Sequence, residues 1–179
     1  SLLFKQNYVC IGISAHTDRG QISASFPTEY AKDVEKFADG RTVDIYLTDY
    51  KVKGQLQPPE LHAIVAGRDS LFINETGFYG GADGKHEYTP VTLNGKVTAI
   101  NRTEAGKILG LIIDNHTFVE IDANTARQLG NVLRRGKLLE VTGDQRVKKD
   151  GEIYSKDYKI VMPGQIKIDG KVFLINTRP

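Results

Sequence analysis

The chain has 179 residues, 40% hydrophobic and 26% charged, with no Trp, one Cys and one Met. This length fits one large domain or two small ones, and the composition excludes a disordered chain. The net charge of +2 hides an asymmetry: residues 1–84 carry 8 Lys and Arg against 11 Asp and Glu, and residues 85–179 carry 16 against 11.

No apolar run approaches the roughly 20 residues that span a bilayer, so no membrane partner is expected. Residues 1–10 lack the basic-then-apolar pattern of a secretory signal. Met162 is the only methionine, so Ser1 reads as the start of a processed or trimmed chain, compatible with a removed signal. Cys10 has no second cysteine to pair with. A cytoplasmic location suits these features.

Taken in order, Tyr8–Ala15 and Gln21–Phe26 read as strands. Pro27 opens a helix that Thr28 can cap, with Ala31, Val34 and Phe37 facing inward and Asp39-Gly40 as the stop. A long alternating strand follows over Arg41–Val52, then strands over Leu61–Ala66 and Leu71–Ile73. This half is one strand short before its helix. Either residues 1–15 form one long bent strand serving twice, or a strand preceded Ser1. Residues 74–90, rich in Gly and ending in Pro90, read as a linker or crossover in which Phe78 and Tyr79 pack or contact a ligand.

The second half opens with a strand over 91–101, a turn at Thr103–Gly106, an apolar strand over Lys107–Ile113, a turn at Asp114-Asn115, and a strand over Thr117–Ile121. A helix capped by Asp122 or Asn124 follows. Ala126, Leu129, Val132 and Leu133 line one face, Arg134 and Arg135 fill the last turn, and Gly136 stops it. A strand over Lys137–Val147 leads to a hairpin turn at Lys148–Gly151. The next strand, about Tyr158–Met162, is broken by Pro163-Gly164. A last hairpin, Gln165–Ile168 with Val172–Ile175, turns at Asp169-Gly170.

The order of three strands, a helix and two strands is that of a five-stranded OB-type barrel. A shift of 96 positions superposes Gly40 on Gly136, Ile45 on Val141, and His62–Val65 on Tyr158–Val161; a further shift brings Leu71–Asn74 onto Phe173–Asn176. The expected fold is therefore mainly β: two tandem OB-like small β-barrels, each with one helix between strands three and four. Their bounds are 1–74 and 91–179, with 75–90 between them.

The runs Leu109–Val119 and Leu133–Gly143 resemble bacterial OB-fold proteins of the nucleic-acid-binding kind. Their pattern is an apolar strand, Asp-Gly-Thr, a second apolar strand, a helix, then Gly-x-x-apolar-x-Val-x-Gly. Here Asn115-His116 stands where the family has a single Gly. The likeness spans about residues 93–162, and its motifs concern fold rather than chemistry.

OB barrels bind across strands two and three, between the loops joining strands one to two and four to five. In the second half these loops supply Arg102, Lys107, Arg146, Lys148 and Lys149 for phosphates, with Tyr154 and Phe118 as stacking candidates. The expected function is non-catalytic binding of single-stranded nucleic acid with low sequence specificity. The alternative is an adaptor or structural module binding a partner protein, through an exposed strand edge or through the N-terminal half and its proline-led loop Tyr50–Pro59, or else an enzyme or small-ligand carrier using the cleft between halves. His16, His62, His86 and His116 show no metal-type spacing, and no nucleophile, phosphate-loop or paired-carboxylate motif is present. No cofactor, metal site or catalytic residue is expected.

Overall fold

The computed structural model describes residues 1–49, 51–73 and 86–175. The chain is mainly β, a closed five-strand barrel and a curled half-barrel sheet, and so follows the expected plan of two tandem barrel-like domains. Two compact units are present, and each is interrupted: one comprises Ser1–Lys85 with Lys148–Ser155, the other His86–Val147 with Lys156–Pro179. The boundaries differ from the expected ones because eight residues of the second half belong to the first unit. Most of the expected linker, with Phe78 and Tyr79, lies outside the described residues.

The first unit contains β1 (Leu2–Phe4), β2 (Cys10–Thr17), β3 (Gly20–Ser25), helix α1 (Ala31–Ala38), β4 (Asp44–Thr48), the small hairpin β5 (Lys51–Val52) and β6 (Gln55–Leu56), β7 (Glu60–Ala66) and β8 (Asp69–Phe72). Residues 1–15 do not form one bent strand. They fold back as a hairpin in which Leu2 pairs Ile13, around a turn where Tyr8 takes φ 71°. The sheet runs β1-β2-β3-β7-β4, with β8 beside β7, and does not close. Thr28 begins a single 3-10 turn ahead of α1 without capping it. Beneath the sheet lie Cys10, Ala24, Phe26, Ala31, Val34, Leu61, Ile64 and Ile73, with Phe37, Ile45 and Ile153 packed at the margin.

The second unit contains β9 (Tyr88–Arg102), β10 (Ile108–Ile113), β11 (Thr117–Glu120), helix α2 (Ala123–Leu129), β12 (Leu138–Arg146), β13 (Lys159–Ile168) and β14 (Lys171–Leu174). Its sheet runs β11-β10-β9-β12-β13-β14, and a parallel pairing of β11 with β13 closes five of these strands into a barrel. The fifteen-residue β9 makes closure possible, since its first half pairs β12 and its second half β10. Alternate residues such as Leu111, Ile113, Val119, Val141, Ile166 and Ile168 point into the core.

Two expectations are corrected here. The second helix ends at Leu129 because Gly130 turns the backbone to φ 48°, so Arg134 and Arg135 lie beyond it. Pro163-Gly164 does not break β13. The ladder slips one residue there, opposite Thr142 and Gly143, and at such a slip a missing N–H is tolerated. The turn at Asp169-Gly170 has φ 51° and 74°, the left-handed pair that joins strands in two residues.

The two units repeat one plan in detail. Ile45 pairs Ile64 as Val141 pairs Ile166, and the β4–β7 ladder slips between Tyr46 and Leu47, the counterparts of Thr142 and Gly143. The bulged residues, His62 and Gly164, each accept a backbone bond of 2.9 Å, from Ile73 and Ile175. The ladders therefore match Ile64 with Ile166, a shift of 102. The expected match of His62–Val65 with Tyr158–Val161 is out of register by six.

Candidate binding site

The residues expected to form a nucleic-acid groove meet different fates. Arg102 and Lys107 are exposed at the β9–β10 turn, where Arg102 Nη1 donates to the Gly106 carbonyl at 3.0 Å. Phe118 is 1% exposed, and its ring lies over Gly110, where an added Cβ would come within 2.3 Å of two ring carbons. It offers no stacking surface. Ile112 and Ile160, its cross-strand neighbours, are 4% and 2% exposed, so the outward row of β10, β11 and β13 is buried as well. Arg146 is 4% exposed, and its Nη2 sits 3.0 Å from Nε2 of His86. Its charge is not presented to a phosphate.

Lys148, Lys149 and Tyr154 belong to the first unit, in a segment that lies along the β2 end rather than forming a free hairpin tip. The Cys10 N–H donates to the Ile153 carbonyl at 2.9 Å, Ser155 N–H to Tyr8 at 2.9 Å, and Val9 bridges Tyr154. The Lys32 N–H donates to the Gly151 carbonyl at 2.9 Å. Glu152 is 1% exposed; its Oε1 accepts from the Thr28 hydroxyl at 2.5 Å and its Oε2 from the Lys149 N–H at 3.0 Å. A buried carboxylate needs such donors to offset lost hydration. Lys148 Nζ stands 4.6 Å from the Tyr154 ring centroid and Lys149 Nζ 3.8 Å from Glu29. The loop is thus anchored through Glu152 and its backbone, while Lys148 stays exposed beside the half-buried Tyr154 ring. The sequence reading of an exposed tip missed Glu152, whose partner Thr28 is 124 residues away.

The first unit also carries an open strand edge. In the barrel, β12 is paired on both sides, with β9 and β13. Among the described residues its counterpart β4 pairs only β7, and β1, three residues long, reaches only β2. The position that β9 fills against β12 has no strand against β4 among the described residues. Beside this edge Tyr46 is 54% and Leu47 37% exposed, and Leu56 on the next hairpin 65%. Asp44 and Asp49, both exposed, flank the edge. The one signal in the sequence was the strand missing before the first helix. The proline-led loop expected to contact a protein begins at Tyr50, outside the described residues, and continues as β5 and β6.

Cys10 and Asp122 titrate away from their ordinary values. Burial pushes the Cys10 thiol up, against an opposing backbone contact from Gly12. The Thr125 N–H, donating at 2.6 Å, holds the Asp122 carboxyl below its usual range as the cap of α2. Among the described residues no three His, Cys, Asp or Glu side chains gather as a metal site, and no helix is long and apolar enough to cross a membrane. In the second unit an open depression of about 340 Å³ between Leu138, Glu140, Lys167 and Asp169 has its Asp169 ion-paired to Lys137 at 2.6 Å. Comparison with protein-family models, curated proteins and solved structures finds no match for this chain.

Proposed function

We propose that the chain is a non-catalytic binding module built on two OB-type units, one a closed barrel and one an open half-barrel, and that its ligand is a partner polypeptide taken at the open edge of the first unit. One observation carries this reading: β4 has one side filled by β7 and, among the described residues, no strand on the other, with exposed Tyr46 and Leu47 along it. A strand edge of this kind presents unpaired N–H and C=O groups that template another strand, and adding a strand to a sheet is a recurrent mode of peptide recognition. The OB-type assignment is supported by the strand order, the helix between strands three and four, and the parallel closure of the second unit.

Nucleic-acid binding, the expectation from charge, finds less support. OB barrels stack bases on the outer face of strands two and three, and the side chains there, Ile112 and Phe118, are buried and apolar. Arg102, Lys107 and Lys148 remain as exposed cations.

The test pans a random peptide library on the whole chain and, in parallel, titrates a fluorescein-labelled single-stranded oligonucleotide at low salt. The expected result is enriched peptides whose binding is lost in Tyr46→Asp and Leu47→Asp, with no oligonucleotide binding. Oligonucleotide affinity that falls steeply with salt and drops in Arg102→Glu/Lys107→Glu or in Lys148→Glu/Lys149→Glu would overturn the reading in favour of a polyanion. Peptides indifferent to both β4 substitutions would overturn it as well.

A further inference from the structure

The repeat allows the ligand to be described, an inference that rests on the reading just given. In the second unit the place in question is filled by residues 88–96 of β9, antiparallel to β12: Leu93 pairs Val141, Val91 pairs Gly143, and Asn94 pairs Glu140. Val91 and Leu93 pack on the barrel core. The matched ladder slips put Ile45 where Val141 stands and Leu47 where Gly143 stands. A strand added to β4 in the same sense sets one apolar residue opposite Ile45, at the margin of the first core, and a second opposite exposed Leu47.

Charge completes the description. Asp44 and Asp49 stand at the two ends of the edge, in a half that carries three more acidic than basic residues. A bound strand places a residue opposite Asp44, at the position Asn94 holds, and another near Asp49, at the position Thr89 holds. Cations there are attracted and carboxylates repelled, as for charged cross-strand neighbours generally. We infer that the first unit accepts an extended segment of another protein, antiparallel to β4, with apolar residues at alternate positions and a basic residue at each end.

The experiment titrates synthetic peptides into the isotope-labelled whole chain and follows amide resonances. The parent peptide copies residues 88–96. One variant carries lysine at the places of Thr89 and Asn94, a second carries glutamate at both, and a third is the lysine peptide N-methylated at alternate residues on the edge facing β4. Expected are saturable shifts confined to Asp44–Thr48 and its neighbours, tightest for the lysine peptide, about three- to thirtyfold weaker for the glutamate peptide, and absent for the methylated one. Binding at β4 with no preference between lysine and glutamate overturns the stated ligand chemistry while leaving polypeptide binding intact. Library peptides that bind at β4 but lack apolar alternation do the same. No β4 shift with any of these peptides, when library peptides also fail, overturns both. A concentration-dependent dimer whose β4 amides shift without peptide overturns the inference in favour of a second copy as occupant.

Discussion

Replacing Glu152 tests the claim that residues 148–155 are part of the first unit. The carboxylate is 1% exposed and accepts from the Thr28 hydroxyl at 2.5 Å and the Lys149 N–H at 3.0 Å. Glu152→Ala removes both acceptors. Each buried donor left unsatisfied costs about 1–3 kcal/mol, so the first unit should lose about 2–6 kcal/mol. Glu152→Gln is the control. Its Oε1 accepts from Lys149 N–H and its amide donates to Thr28, so it should cost about 1 kcal/mol or less. Urea unfolding gives the magnitudes, and amide hydrogen exchange gives the location. The Lys32 and Cys10 N–H groups, bonded to Gly151 and Ile153, should lose protection in Glu152→Ala and keep it in Glu152→Gln. Unchanged protection at both amides in the alanine variant would refute the reasoning. So would equal losses in the two variants, since the two hydrogen bonds would then not account for the effect.

Other expectations are more local. Asp122→Ala should cost about 0.5–2 kcal/mol through loss of the cap on α2. Because the Thr125 N–H, then its hydroxyl, lower this carboxyl from its ordinary 3.8, its contribution is full above that value and lost as pH falls through the lowered folded one; acid unfolding curves of wild type and variant should converge there. Gly110→Ala places a Cβ 2.3 Å from the Phe118 ring and 2.7 Å from the Val119 carbonyl; a loss of about 1–3 kcal/mol in urea is expected, and wild-type stability would refute the packing of Phe118 described above. Cys10, fully buried with its thiol pushed up by desolvation, should react with a thiol reagent only as fast as the first unit opens, and a free-cysteine rate without denaturant would contradict its burial.

Most strands were legible because their alternation reports which face is buried. The turns at Asp114-Asn115 and Asp169-Gly170 were legible because their residue types tolerate the left-handed backbone that those turns adopt. The helix end was misplaced because its apolar spacing continues to Leu133 past Gly130, and Leu133 is buried whether or not it is helical. Pro163-Gly164 read as a break because a proline in a strand is acceptable only where the ladder slips, and the slip is made jointly with β12.

The candidate groove was the least legible part. Lys148, Lys149 and Tyr154 resemble a soluble, basic hairpin tip by composition alone, as do Arg102 and Lys107, which are exposed.

By itself the sequence determined the β-rich class, the tandem organisation and the order of elements, because these follow from local periodicity and turn chemistry. Only the tertiary structure decided that, among the described residues, no strand covers the second edge of β4, that Phe118 and Arg146 are buried, and that residues 148–155 join the first unit. Those outcomes depend on pairings between residues far apart in the chain, such as Thr28 with Glu152 and Val9 with Tyr154. No local pattern encodes them, because the burial of each partner is set by the other.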